Sequence, residues 1–227
     1  VKRNWLPIKK LSSFLYRKIV RFYVYNKFRI LMYAREKLVV CISWWLQRET
    51  LGEMPFLYYN FNGSEKMKFW LLNHEATIED LNKFKFSNKK IGVIAHIENN
   101  NGEILLQQRG IKSRDENGLY EYIGGKVDPE DSSFKDAIIR EIKEEAGSDL
   151  KLEVSDSKGI YHCCKNNVNW IFVIYIVKYI EGEIKIMEPD KCQGYKFCKI
   201  DDALNSELVT ESCKFLIESI RDNILRM

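Results

Sequence analysis

The chain has 227 residues, 45% hydrophobic and 30% charged, with 36 Lys or Arg against 32 Asp or Glu and a formal net charge of +4. That length exceeds the roughly 130 to 150 residues of one compact domain, so a further unit is expected beside it. Six cysteines without a CxxC pair demand neither a disulfide framework nor a zinc site, fit a reducing cytosol, and no internal repeat or low-complexity tract occurs.

The charge is unevenly spread. Residues 1–50 hold twelve Lys or Arg against Glu36 and Glu49, a net of +10, which leaves −6 on the rest. Leu11, Leu15, Ile19 and Phe22 recur at helical spacing, with Trp5, Tyr16, Tyr23, Tyr25 and Tyr33 interleaved among the basic residues. A basic amphipathic arm of this kind binds an anionic membrane surface or nucleic acid, or packs its apolar side on the catalytic domain; the sequence leaves both open. The longest apolar run, Leu38 to Leu46, is nine residues and too short to span a bilayer. The basic region is too long for a signal peptide and no small-residue cleavage site follows. A cytoplasmic protein, able to sit peripherally on a membrane, is expected.

Residues 51–89 predict a small appendage. Phe56 to Phe61 and Lys66 to Leu72 flank Asn62-Gly63, a hairpin signal, and Thr77 with Asp80 forms a capping box that opens a short helix. Ser87 to Lys90 make a polar junction to the catalytic domain, residues 90–227.

In that domain strands are expected near Ile91–Ile97, Glu103–Gln108, Tyr120–Ile123, Trp170–Lys178 and Tyr195–Ile200, with Asn100-Asn101-Gly102 turning between the first two. Helices are expected over Ser133–Ala146 and from about Ser206 to Leu225. This alternation predicts an α/β fold, an α/β/α sandwich with a mixed sheet.

Gly124 to Gly147 joins a glycine-rich loop to a helix carrying Glu141, Glu144 and Glu145, three and four residues apart and therefore on neighbouring faces. Like charges this close repel by a few tenths of a kcal/mol per pair, roughly, and a divalent cation removes the penalty. Mg²⁺ takes carboxylate and carbonyl oxygens and keeps waters that substrate phosphates can replace. The plainer reading is a solvated helix face laced with ion pairs from Arg140 and Lys143. A strand ahead of the loop, a Phe134, Ile138, Ile142 stripe and Gly147 at the helix end favour the functional one. His74, His96 and His162 are scattered, and no serine elbow motif occurs.

On these residues the chain resembles the Nudix hydrolase family, whose signature is a glycine, five residues, a glutamate, seven residues, then Arg-Glu-apolar-x-Glu-Glu-x-Gly-apolar. Arg140 to Gly147 match its second half, and Tyr120-Glu121-Tyr122-Ile123-Gly124-Gly125-Lys126 stand where the family has Trp-Glu-Phe-Pro-Gly-Gly-Lys. Leu105 to Arg109 looks like its second strand. The main departure is length. Fourteen residues, 126–139, separate Gly125 from Arg140 where the family has thirteen, so the first glutamate has no strict counterpart and either Glu130 or Asp131 fills its place.

The resemblance implies a Nudix-type sandwich and metal-assisted attack of water on the pyrophosphate of a nucleoside diphosphate derivative. It implies Mg²⁺, with Mn²⁺ as substitute, held by the Gly124 carbonyl, Glu141, Glu144 and Glu145, and Glu144, Glu141 and Arg140 as the catalytic groups. Glu130 and Asp131 would support the loop; Gly125, Lys126 and Arg109 would contact the nucleotide. Glu188 to Phe197 resembles a segment of the family's nucleoside triphosphate diphosphatases, which adds Glu188 as a further ligand and Tyr195 as a pocket aromatic. The favoured activity is release of pyrophosphate from a nucleoside triphosphate. An ADP-ribose or capped-RNA pyrophosphatase is the enzymatic alternative, and a catalytically weak nucleotide-binding module the non-enzymatic one.

Overall fold

The computed structural model describes residues 56–60, 66–113, 115–165 and 167–223. The basic arm of residues 1–50 and the Asn62-Gly63 turn lie outside the described residues. In chain order the elements are β1 Phe56–Asn60, β2 Lys66–Leu71, α1 Ile78–Asn82, β3 Lys89–Glu98, β4 Glu103–Arg109, β5 Tyr120–Glu121 and β6 Ile123–Lys126. They continue with α2 Phe134–Ala146, β7 Lys151–Lys165, β8 Val168–Glu181, β9 Cys192–Lys199, α3 Ile200–Asn205 and α4 Glu211–Asn223. Among the described residues no helix is long and apolar enough to cross a membrane.

The nine strands form one mixed sheet, in the order β1-β2-β7-β8-β3-β4-β5, with β6 also paired to β3 and β9 to β4. Among the described strand pairs β3 and β8 alone run parallel, from Lys89 opposite Asn169 to Glu98 opposite Lys178. Alternate residues of β3 serve two cores, as the period of two demands. Val93, Ala95 and Ile97 pack in the cluster that holds the α2 residues Phe134, Ala137, Ile138 and Ile142. Ile94 packs in the other, with Cys213, Leu216, Ile217 and Ile220 of α4. Each fully buried isoleucine stabilises by roughly 1.5–3 kcal/mol, so burial holds α2 more than its caps do. Helices on both faces make the expected α/β/α sandwich.

α2 begins where the sequence places it. Ser133, in extended conformation, accepts a hydrogen bond from the Asp136 N–H, and Gly147 ends the helix at φ 105°, a region that favours glycine.

Four expectations change. Asn99 to Gly102 does turn between β3 and β4, but the Tyr120–Ile123 strand divides into β5 and β6 at Tyr122. The terminal helix begins at Glu211, after the separate short helix α3, because Tyr120 N–H donates to the Leu208 carbonyl and Thr210 N–H to Tyr120, which holds 208–210 extended against β5. β7, fifteen residues long, was not anticipated. Finally, the hairpin and helix of 51–89 do not stand apart: β2 pairs with β7, and Trp70, Leu72, Leu81 and Phe84 enter the α2 core. The capping box is present, with Thr77 accepting from Asp80 N–H at 3.2 Å and Asp80 accepting from Thr77 N–H at 3.0 Å. Because α1 seats Leu81 in that core, Thr77→Ala is expected to cost about 1 kcal/mol, measured as a lower midpoint in urea with unchanged slope.

Candidate functional site

β6 brings the two glycines alongside β3, Gly124 opposite Ile94 and Gly125 opposite Val93. Both positions are tight. A Cβ on Gly124 would run into the Val93 carbonyl oxygen, and one on Gly125 into the Glu141 carboxylate. Glu141 therefore lies directly over the Gly125 backbone, a position open only because the residue there has no side chain.

Arg140 organises the loop. Its Nε and Nη2 each donate to Asp131 at 2.9 Å, its Nη1 to Glu141 at 3.0 Å and Glu144 at 2.9 Å, and its Nη2 also to the Lys126 carbonyl at 3.0 Å. The planar fork makes this many directed bonds where lysine could not. These bonds hold the Asp131 pKa below and the Arg140 pKa far above their ordinary values. Asp131 is 6% exposed and also accepts from the Asp128 N–H at 2.8 Å. Glu130 is exposed. In position, Asp131 and not Glu130 faces Arg140. Asp131→Asn is expected to lower activity about tenfold, whereas Glu130→Gln leaves it unchanged, measured as kcat on whichever nucleotide is turned over.

The three glutamates differ. Glu144 is 56% exposed and tied only to Arg140. Glu141 is half-buried, and burial, opposed by Arg140, pushes its pKa up. Glu145 turns inward, and its Oε2 is buried without a hydrogen-bond partner. Burial first, then the charges of Glu141, Glu121 and Glu188, push its pKa up to about 8. Glu188 accepts from Lys191 Nζ at 2.7 Å. Tyr195 donates its hydroxyl to the Glu145 carbonyl at 2.6 Å, so it fastens the end of α2. It is not among the residues that line the cleft, contrary to the pocket-side place expected for it.

Among the described residues no three His, Cys, Asp or Glu side chains cluster as a formed cation cage; Arg140 bridges Glu141 and Glu144 instead. The donor set still fits a hard divalent cation. All the groups are oxygen donors, and a buried carboxylate oxygen with no partner needs a positive one.

Beside the loop a cleft of about 220 Å³ is lined by Gly124, Gly125, Lys126, Arg109 and Glu121 at one end and by Tyr161, Cys163, Lys165, Trp170 and Phe172 along the sheet, with Ser212, Cys213 and Leu216 of α4 opposite. Arg109 is committed to Glu121 and to Asp115, 2.9 Å away. Trp170 and Phe172 stack at 5.4 Å with planes 5° apart. Asn169, next in the strand, bonds His162 at 3.0 Å and the Ser87 carbonyl at 3.1 Å. Asp115, Glu116 and Lys165 were missed; the acidic pair after Arg109 is visible in the sequence, but nothing local marks Lys165.

The NUDIX domain family model matches residues 88–217, more than half of the chain. CTP pyrophosphohydrolase of Escherichia coli (strain K12) is 49% identical over 59 residues, 26% of this chain and 42% of that protein, so the match spans less than half of the relative. Among solved structures, the MutT NUDIX hydrolase of Burkholderia pseudomallei is 26% identical with a TM-score of 0.49, covering 59% of this chain and 99% of its own. The ORF135 protein of E. coli is 27% identical with a TM-score of 0.48, covering 59% and 91%. By the match of its strand, loop and helix over residues 88–217, the chain belongs to the NUDIX family.

Proposed function

We propose that the chain is a divalent-metal-dependent nucleotide pyrophosphohydrolase that converts a nucleoside triphosphate to its monophosphate and pyrophosphate. The observation that carries this reading is the Glu145 carboxylate, buried with an unpartnered oxygen beside Glu141 on a two-glycine loop that opens into an aromatic cleft. The similarity to a CTP pyrophosphohydrolase over 59 residues supports a triphosphate substrate.

Mg²⁺, or Mn²⁺ in its place, would be held by Glu141, Glu144 and Glu145, with the Gly124 carbonyl and Glu188 as further donors; bound there it would acidify water and neutralise phosphoryl charge. Loading requires Glu141 and Glu144 to turn from Arg140 Nη1, while Asp131 retains the other side of the fork. Arg140 acts as a positioning residue, because its bonds to Asp131 and the Lys126 carbonyl fix the loop. Lys126, 58% exposed at the cleft edge, supplies a mobile positive charge to phosphate. Trp170 and Phe172 supply an aromatic wall of the cleft against which a base can pack.

The test is a panel of nucleoside triphosphates, ADP-ribose and capped RNA, each with Mg²⁺ and with a chelator, beside Glu144→Gln. Monophosphate plus pyrophosphate from a triphosphate, lost in chelator and in the variant, is the expected result. Cleavage of ADP-ribose or capped RNA alone would move the substrate class, and cleavage of none would leave a binding module.

A further inference from the structure

We infer that Glu116 and Lys165 select the base, and that they select a 4-aminopyrimidine edge, an exocyclic amino group beside a ring-nitrogen acceptor, as cytosine and adenine present it. The inference rests on the nucleotide reading above and assigns specificity within that cleft.

Sheet register puts the two groups beside the stacking face. Tyr161, Cys163 and Lys165 alternate on β7 and all line the cleft; Tyr161 lies opposite Phe172, Cys163 opposite Trp170 and Lys165 opposite Val168. Lys165 is therefore a diagonal neighbour of Trp170 on one sheet face, within reach of a long side chain. Lys90 sits over the Trp170 ring, 5.3 Å from its centroid.

Lys165 is held in place from the loop across the cleft, with its Nζ 2.8 Å from Glu116 and 3.1 Å from Asp115. Burial works against its charge, but Glu116 and Asp115 keep its pKa above the ordinary lysine value. Asp115 is also fixed by Arg109, so it acts as the positioning residue. Glu116 stands at φ 54°, an uncommon conformation for a residue with a side chain. Two turn hydrogen bonds hold it there, Leu119 N–H to the Glu116 carbonyl at 3.1 Å and Gly118 N–H to the Arg109 carbonyl at 2.9 Å.

Neither group is saturated by the other. An ammonium has three donors and a carboxylate about four acceptor sites, so each retains capacity toward the cleft. A base that enters the cleft along the Trp170 and Phe172 wall then meets an acceptor, Glu116, beside a donor, Lys165. Cytosine offers its N4 amino group to the first and N3 to the second; adenine offers N6 and N1 in the same order. Uracil and hypoxanthine reverse both groups, setting a carbonyl against the carboxylate and an N–H against the ammonium. A bidentate match of this kind discriminates by about 5- to 150-fold.

The experiment titrates CMP, UMP, AMP and IMP into the metal-free full chain by calorimetry, for the wild type, Glu116→Gln and Lys165→Met, each checked for an unchanged Tm. Expected is at least fivefold tighter binding of CMP over UMP or of AMP over IMP, roughly the lower bound above, the favoured pair telling cytosine from adenine. Both variants should bring that ratio toward one, Glu116→Gln furthest, because its amide donates to a carbonyl. Equal affinities within both pairs in the wild type, binding of none of the four, or an unchanged ratio in a folded Glu116→Gln protein would overturn the inference. Should the variants fail to fold, the wild-type ratios decide it. Cleavage of triphosphates without base discrimination sinks only this inference; discrimination without cleavage of any nucleotide sinks only the proposed activity.

Discussion

Glu145→Gln is expected to lower kcat by about 10³-fold and yet to stabilise the metal-free protein. The side chain keeps its shape, but the charge that a cation would meet is gone, so activity falls. Stability moves oppositely because Glu145 is buried beside Glu141, Glu121 and Glu188. Its folded pKa, about 8, lies above the ordinary 4.5, so the folded state binds the proton more strongly than the unfolded chain does. The contribution of Glu145 to stability is therefore fully present below about pH 4.5 and is lost as pH rises through 8. Glutamine cannot ionise, and its advantage grows over that window to about 1–3 kcal/mol. Thermal melts in chelator at pH 5 and pH 8 read the sign; a variant less stable than wild type at pH 8 would show that Glu145 is satisfied without a cation.

Gly125→Ala and Gly124→Ala separate function from folding. On Gly125 the nearest atoms to the new methyl group are those of the Glu141 carboxylate, the far end of a flexible side chain that can swing away. Tm should change little while kcat falls by about 10²-fold, since a displacement near 1 Å is enough for that. On Gly124 the methyl group meets the Val93 carbonyl and the Ile94 backbone, which cannot move without opening β3 from β6. That variant should lose about 1–3 kcal/mol of stability. Equal stability losses in the two variants would mean that Glu141 is not free to leave Gly125.

What the sequence disclosed was what is local. Helix spacing places Glu141, Glu144 and Glu145 on one side, Ser133 and Gly147 mark the ends of α2, and each needs only neighbours within a turn or two. The choice between Glu130 and Asp131 could not be made that way, because it depends on the turn in which Asp131 N–H donates to Asp128. β7 escaped notice for a physical reason. It is long, its register against β8 shifts around Ser157, and its first half is mostly half-buried or exposed and polar from Ser155 to Lys158, so no clean alternation runs its length. With β7 unseen, the seating of β2 in the main sheet was not legible, since it pairs segments some ninety residues apart, and the approach of Lys165 to Trp170 went unread although both belong to one hairpin. The contact of Tyr195 is long-range in the same way: β9 pairs with β4, and the Tyr195 hydroxyl reaches the Glu145 carbonyl fifty residues away.

The most direct measurement is the phosphorus spectrum of a nucleoside triphosphate incubated with the wild-type chain and Mg²⁺. Equal growth of monophosphate and pyrophosphate signals, absent with Glu145→Gln, is the expected result. Release of inorganic phosphate with a nucleoside diphosphate, or no change in any triphosphate, would contradict the assignment of this site as a nucleoside triphosphate pyrophosphohydrolase.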